Sequence, residues 1–174
     1  IAPIGALSYI GSPLNKNVAS SYRRGIETDV TYRGIPRWVL SGNATESMNR
    51  IREYTDSSGN VPVTYHNVEP LLTPRFLSFA RAQFALTPSI DLAVQGRYQS
   101  VSFLANTSDR RYVLPESADL DASIGWRIGQ AELLVRGNNL TNSKKYGSGY
   151  ASDGVSYYFV LPPRNVFVTL KVGI

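Results

Sequence analysis

The sequence predicts an all-β chain, an antiparallel meander of about 7–8 strands with the two-faced pattern of transmembrane outer-membrane β-strands. Three observations predict it. Apolar and polar residues alternate with period 2 over long windows, the spacing that puts them on opposite faces of a strand. The alternating runs last about 9–12 residues, enough for a tilted strand to cross a bilayer, whereas ordinary globular strands run to about 5–6. The connections between runs are alternately short and long.

Taken in order, the first clear run is Gly25–Tyr32, where Ile26, Thr28, Val30 and Tyr32 oppose Gly25, Glu27, Asp29 and Thr31. Arg37–Thr45, Arg75–Leu86 and Ala131–Thr141 are read as strands of less regular alternation, with Leu77, Phe79 and Leu134 falling on the polar face. In Ile90–Ser100 the set Ile90, Leu92, Val94, Gly96 and Tyr98 alternates with Asp91, Ala93, Gln95, Arg97 and Gln99. Asp119–Ile128 is the clearest run: Leu120, Ala122, Ile124, Trp126 and Ile128 form a wholly apolar face, against Asp119, Asp121, Ser123, Gly125 and Arg127. In the last run Val166, Val168, Leu170, Val172 and Ile174 share one face. Ile1–Ala6 reads as the end of a further strand.

Cross-strand matching predicts the registers. Pairing Arg127 with Glu132 sets Trp126 against Leu133, Ile124 against Val135 and Ser123 against Arg136, so like meets like. A slip of one residue reverses every face. Phe84 with Leu92 aligns Ala82 with Val94 and Arg81 with Gln95. Tyr32 with Trp38 aligns Val30 with Leu40 and Glu27 with Asn43. The short connections are then Arg33–Arg37, Leu86–Ile90 and Ile128–Ala131. The long ones are Leu7–Ser21, Glu46–Pro74, Leu104–Ala118 and Asn142–Pro163. Short turns on one side and long loops on the other are expected of a bacterial outer-membrane barrel, with the long loops extracellular. Trp38, Tyr32, Phe84 and Trp126 near the short turns, and Tyr98, Phe103, Tyr112 and Tyr146 near the long loops, suit interfacial aromatic girdles. The competing reading, a soluble β-sandwich, buries the apolar face against a second sheet and needs no loop asymmetry.

Composition narrows the function. The chain has 174 residues, begins with Ile1, contains no Cys and has one His. Disulfide and thiolate-metal chemistry are therefore excluded, and no cofactor is expected. No apolar run is long enough for a transmembrane helix. The mean hydropathy of −0.17 suits strands with one wet face. A net charge of +5 is spread along the chain, which argues against nucleic acid as a partner.

Four segments, in order, carry a family resemblance. They are YRRGIETDVTY (Tyr22–Tyr32), LTPR (Leu72–Arg75), RGNNLTNSKKY (Arg136–Tyr146) and PPRNVFVTLKVGI (Pro162–Ile174). Together they resemble the C-terminal barrel portion of TonB-dependent outer-membrane receptors. In that family the last residue is commonly an aromatic read by the barrel-assembly machinery; here Ile174 stands there. The resemblance implies that residues 1–174 are the C-terminal segment of a barrel of roughly 22 strands, with the plug domain and the N-terminal barrel strands outside this chain. It implies import of a scarce nutrient such as a ferric siderophore, cobalamin or an oligosaccharide. The implied partners are the TonB complex acting through the plug, the lipid bilayer with lipopolysaccharide, and the assembly machinery, which takes the strand bearing Val166, Val168, Leu170, Val172 and Ile174. The alternative is a small stand-alone structural or adhesion barrel without active transport.

No catalytic constellation emerges, and a non-enzyme is expected. Asp119 with Asp121, and Glu27 with Asp29, are carboxylate pairs on one strand face; pairing with Arg81, Arg97, Arg127 or Arg136 in a wet lumen is the simpler account. His66 reads as a loop histidine near Tyr65 and Glu69. Tyr146–Gly154 reads as a flexible Gly-rich loop. The glycosylation-like triplets at Asn43, Asn106 and Asn139 are taken as coincidence. Substrate contacts are expected from loop residues Tyr112, Arg110, Arg111, Tyr150, Tyr157 and Tyr158, since aromatics with Arg suit planar, anionic or sugar ligands. Lumen residues Gln83, Gln95, Arg97, Gln99, Arg136 and Asn138 are expected to line the path or contact the plug. Arg50, Arg52, Arg110, Arg111, Lys144 and Lys145 are candidates for lipopolysaccharide phosphates.

Overall fold

The computed structural model describes residues 2–7, 13–18, 20–57 and 61–173. Seven strands form one antiparallel meander: β3 (Ser21–Tyr32), β4 (Trp38–Asp56), β6 (Phe76–Thr87), β7 (Ile90–Gln99), β10 (Ser117–Ile128), β11 (Ala131–Asn138) and β14 (Asn165–Val172). Each is hydrogen-bonded to the next in chain order. Short elements fill the long connections. β1 (Ala2–Leu7) pairs with β2 (Pro13–Lys16), and β5 (Val63–Val68) extends β4. β8 (Ser102–Phe103) pairs with β9 (Val113–Leu114), and β12 (Tyr146–Ser152) with β13 (Val155–Val160).

The registers keep one parity across the whole sheet. Ile124 lies between Leu92 and Val135, and Val135 lies opposite Val168. Ala82 joins Val94 to Leu40, and Leu40 lies opposite Tyr32. One face is therefore apolar from β3 to β14. It is also open: Ile26 is 72 % exposed and Val168 66 %. A sandwich buries such a face against a second sheet, and among the described residues no second sheet covers it. So large a contiguous apolar surface needs lipid or protein against it. The larger buried apolar side chains lie at the long-loop end, where Ile51, Tyr54 and Val68 pack together where β4 meets β5 and Leu104 and Leu114 are buried in the β8–β9 segment; small Ala93 is buried on the polar face of β7.

The predicted pairings of β10 with β11 and of β6 with β7 are observed residue for residue. The turn between β10 and β11 is two residues, Gly129–Gln130, with Gly129 at φ 60°, the left-handed start that a tight hairpin asks of glycine. The β3–β4 register differs. Tyr32 pairs with Leu40, not Trp38, and Glu27 with Thr45, not Asn43. A two-residue slip leaves every side chain on its own face, so alternation cannot choose between the two registers. The turn chooses. Arg37 takes φ 69° and Trp38 N donates to Ile35 O (3.1 Å), which closes a five-residue connection between Tyr32 and Trp38.

Other boundaries move for local reasons. β4 runs 19 residues, well past Thr45, because β5 pairs with its far end. β11 stops at Asn138, short of Thr141, because Asn139 turns to φ 49°. His66 sits in β5 opposite Glu53 rather than in a loop. Tyr146–Gly154 is not a flexible loop but β12 and its turn; Asp153 (φ 50°) and Gly154 (φ 76°) make a two-residue hairpin connection. Ala2–Leu7 is a strand, but it pairs with β2 outside the seven-stranded sheet. Ile1 and Ile174 lie outside the described residues.

The β3–β4 register is testable because the chain has no cysteine of its own. Directly opposed residues have Cα atoms about 4.5–5.5 Å apart, within disulfide range. The double variant Tyr32→Cys/Leu40→Cys is expected to cross-link rapidly under mild oxidant on a non-reducing gel, and Tyr32→Cys/Trp38→Cys slowly. The reverse order of rates refutes the register.

Candidate functional site

The second face of the sheet is polar. Its middle row runs Ser41, Arg81, Gln95, Asp121, Asn138, Asn165 across six strands. Gln95 Nε2 donates to Asp121 Oδ2 (3.0 Å) and Asn138 Nδ2 to Asn165 Oδ1 (2.9 Å). Gln83, Arg97, Gln99 and Arg136 share this face, as the alternation requires. Leu77, Phe79 and Leu134 share it too.

One row nearer the long loops the charges gather. Arg97 Nη1 lies 3.3 Å from Asp119 Oδ2 and 3.2 Å from Asp121 Oδ2. Lys145 Nζ, from the last long loop, reaches Asp119 Oδ2 at 2.7 Å. Asp121, only 5 % exposed, also accepts from Asn139 N on Oδ1 (2.9 Å). Both carboxylates are thus held by cations, and Asp121 also by N–H donors from Gln95 and Asn139. Of the four arginines expected as partners, Arg97 takes the role and Arg81 forms no ion pair among the described residues; Lys145 is an unexpected partner. Arg127 pairs with Asp91 instead, at 3.1 Å. Arg136 lies across from Ser123 and Phe167 and lines a small hollow with Asp121, but it forms no ion pair with either carboxylate.

This charged corner floors a cleft of about 420 Å³, walled by Phe79, Leu77 and Gln99 and overhung by Tyr146, Gly147 and Leu161. The overhang is set by Asn139. Its Nδ2 donates to Ser143 O (2.9 Å) and Pro162 O (3.4 Å), and its Oδ1 accepts from Ser143 N (3.1 Å). Next to it, Leu140 N donates to Leu120 O (2.8 Å), fastening the loop to β10. Asn suits this position because it tolerates the left-handed backbone and carries both donor and acceptor. At 2 % exposure Asn139 is no glycan acceptor, and neither is Asn106 at the same exposure.

The predicted loop residues separate into two groups. Tyr158 stacks near Tyr146 (4.5 Å between centroids) and donates its hydroxyl to Val113 O (3.0 Å), tying the β12–β13 hairpin to the β8–β9 loop. Arg111 is clamped to Asp109 (2.6 Å) and lies 5.4 Å from the Tyr112 ring. Tyr150 stacks on Tyr157 (5.0 Å, 13°) on the outer side of the same hairpin, with Phe159 adjoining. Arg110 is exposed. So Tyr158 braces the loops, while Arg111, Tyr150, Tyr157 and Arg110 remain on the surface. Among the described residues no group of His, Asp and Glu is placed to hold a metal.

Glu69 is a further brace. Nearly buried, it accepts from Arg50 (2.7 Å) and Arg75, while its own N–H donates to Ser108 Oγ (2.8 Å) and Leu71 N donates to Asn106 Oδ1 (2.8 Å). Burial pushes its carboxyl up, but the hydrogen bonds and charges of Arg75 and Arg50 outweigh that and hold it below the usual glutamate range. Only three-dimensional proximity brings these groups together; Arg75 in the LTPR segment was the one visible signal.

No protein-family model and no curated protein matches the sequence. Solved structures do. The siderophore receptor PiuA from Acinetobacter baumannii superposes with a TM-score of 0.73 at 16 % identity, over 86 % of this chain and 21 % of that one. The ferric yersiniabactin uptake receptor FyuA from Yersinia pestis gives 0.72 at 17 % identity, over 87 % and 23 %. The ferric citrate transporter FecA gives 0.68 at 14 %, over 90 % and 26 %. The likeness establishes the fold: this open meander is built like part of those outer-membrane receptors. The chain spans about a fifth to a quarter of their length.

Two outcomes test the braces. Asn139→Ala leaves loop carbonyls and amides unpaired and forces alanine into a left-handed backbone. It is expected to cost about 2 kcal/mol in denaturant unfolding and to speed proteolysis within residues 143–163; an unchanged midpoint refutes the role. Glu69 has a folded pKa below its unfolded one, so its contribution is present above the unfolded value and lost as pH falls through the folded one. Hydrogen exchange over residues 68–76 is therefore expected to accelerate as pH drops below about 4, after correction for intrinsic rates, and Glu69→Gln to remove that dependence. A pH-independent wild type defeats the assignment.

Proposed function

We propose that the chain is the C-terminal part of the barrel of a TonB-dependent outer-membrane receptor. It crosses the bacterial outer membrane with the apolar face to lipid and the polar face to the lumen. The observation that carries this reading is the parity of the sheet: one face apolar and open over seven strands, the other polar, with two- to five-residue turns at one end and long, braced loops at the other. The siderophore-receptor fold supports it, as do the four sequence segments. β3 and β14 each have one neighbour in the sheet, and seven strands are too few to close, so further barrel strands complete it. That argues against a small stand-alone barrel.

The cargo is a ferric siderophore. The fold neighbours named for iron carriers support that choice over cobalamin or an oligosaccharide. Cargo enters past the rim, where Tyr150, Tyr157, Tyr112 and Arg110 offer rings and a cation, and passes over the cleft beside Arg97 and the lumen wall with Arg136. TonB acts on a plug domain encoded outside this chain, and the barrel-assembly machinery receives the strand Val166–Val172. The polar face performs no chemistry on the cargo; its Arg97–Asp119–Lys145 network positions the rim.

The complete gene, as the only receptor in an iron-starved outer-membrane strain, is expected to restore growth on one class of ferric siderophore, and removal of TonB to abolish that growth. Growth that is restored without TonB, or restored by none of a panel of siderophores, overturns the proposal.

A further inference from the structure

Leu77 and Phe79 are large apolar residues on the polar face of the sheet. Thr45 and Gln99 flank Leu77 there, and Asn43 and Arg97 flank Phe79. Leu77 is 42 % exposed, so the fold does not need it for a core. Leu134 and Phe167 share the face farther along the sheet, outside the cleft. What sets Leu77 and Phe79 apart is the loop that comes over them. Tyr146 and Leu161 overhang the same cleft, and Leu161 N donates to Lys145 O (2.9 Å), which ties the two sides of that loop together. Two apolar residues of β6 and two of the last long loop thus converge on one open hollow in a polar surface.

The charges at its floor cancel. Arg97 and Lys145 meet Asp119 and Asp121 in one network, two cations against two carboxylates. The side chains of Lys145 and Asp119 are only 12 % and 13 % exposed, and Arg97 is shared between both carboxylates. Glu27 and Asp29 lie on the same face two strands away, exposed to solvent, and do not line the cleft. A charged group entering the cleft gives up water and finds no unmatched opposite charge, and apolar walls do not repay that loss. An uncharged ring gives up little and gains contact with the rings of Phe79 and Tyr146. Gln99 and Ser117 also line the cleft and can hydrogen-bond a ring substituent. A hollow of about 420 Å³ with apolar walls and few polar groups has the character of a small-ligand site.

We propose that this cleft binds an uncharged aromatic group of the cargo, held against Phe79 and Tyr146, with Leu77 and Phe79 as the residues that select it. This rests on the transport reading above and assigns a neutral arm of the cargo, not a charged one, to this part of its path.

The test titrates the complete receptor in lipid nanodiscs with three single-ring probes: phenol, benzoate and benzylammonium. Binding is read by saturation-transfer NMR, with the signal of empty nanodiscs subtracted. Phenol is expected to bind at least about tenfold more tightly than either charged probe. Phe79→Ala is expected to weaken phenol binding about tenfold. Leu161→Ala, a loop change that leaves the strands intact, is expected to weaken it in the same direction. Leu134→Ala removes a leucine from the same face outside the cleft and is expected to bind as wild type does. Asp119→Asn leaves one positive charge unmatched and is expected to shift the preference towards benzoate. Equal binding of the three probes, no loss in Phe79→Ala and Leu161→Ala, or an equal loss in Leu134→Ala each overturns the site. A complete receptor that restores growth on no siderophore defeats the transport reading itself, whereas one that transports but does not prefer phenol defeats only this inference.

Discussion

The structure depends on parity. Side chains alternate along every strand, so a seven-stranded sheet has one apolar face only if all six registers agree modulo two. They do. A single one-residue slip between any two strands would turn the apolar residues of everything beyond it towards the polar face. Backbone hydrogen bonding imposes the companion requirement. Each strand's peptide groups pair with those of its neighbours, and among the described residues β3 and β14 have a neighbour in the sheet on one side only.

This inverts the usual location of the core. The mid-sheet apolar side chains are open, and the larger buried ones cluster beyond the rim. There, loops that are separate in sequence are joined by single polar residues. Asn106 and Ser108 receive the 69–71 segment, and Tyr158 links the β12–β13 hairpin to β9. Asn139 and Lys145 fasten the last loop to β10. A rim braced in this way holds a cleft open above the polar face of the sheet, where a flexible set of loops would collapse into it. The paired aspartates are engaged in the same way: Arg97 and Lys145 contact Asp119, and Arg97, Gln95 and the Asn139 amide contact Asp121.

Much of this was legible from the residues. Leu120, Ala122, Ile124, Trp126 and Ile128 announce the lipid-type face of β10, and matching them to Leu133 and Val135 gives a register that holds. The β12–β13 hairpin was also legible in principle, since Asp153–Gly154 is a recognised hairpin turn between alternating residues; the glycines at 147 and 149 obscured it. The cleft was not legible. Arg97 and Asp119 could be paired from the strand register, but Lys145 reaches them only because Asn139 folds its loop inward.

By itself the sequence determined the all-β class, the two faces, the side of each turn and the registers of the β6–β7 and β10–β11 hairpins, because period-two alternation is local and reads directly from neighbouring residues. Only the tertiary structure decided the β3–β4 register, the length of β4, the end of β11 and the partners of Glu69, Asn139 and Lys145. Those depend on left-handed turn residues and on contacts between loops far apart in the chain, and a two-residue slip or a distant hydrogen bond leaves no trace in local periodicity.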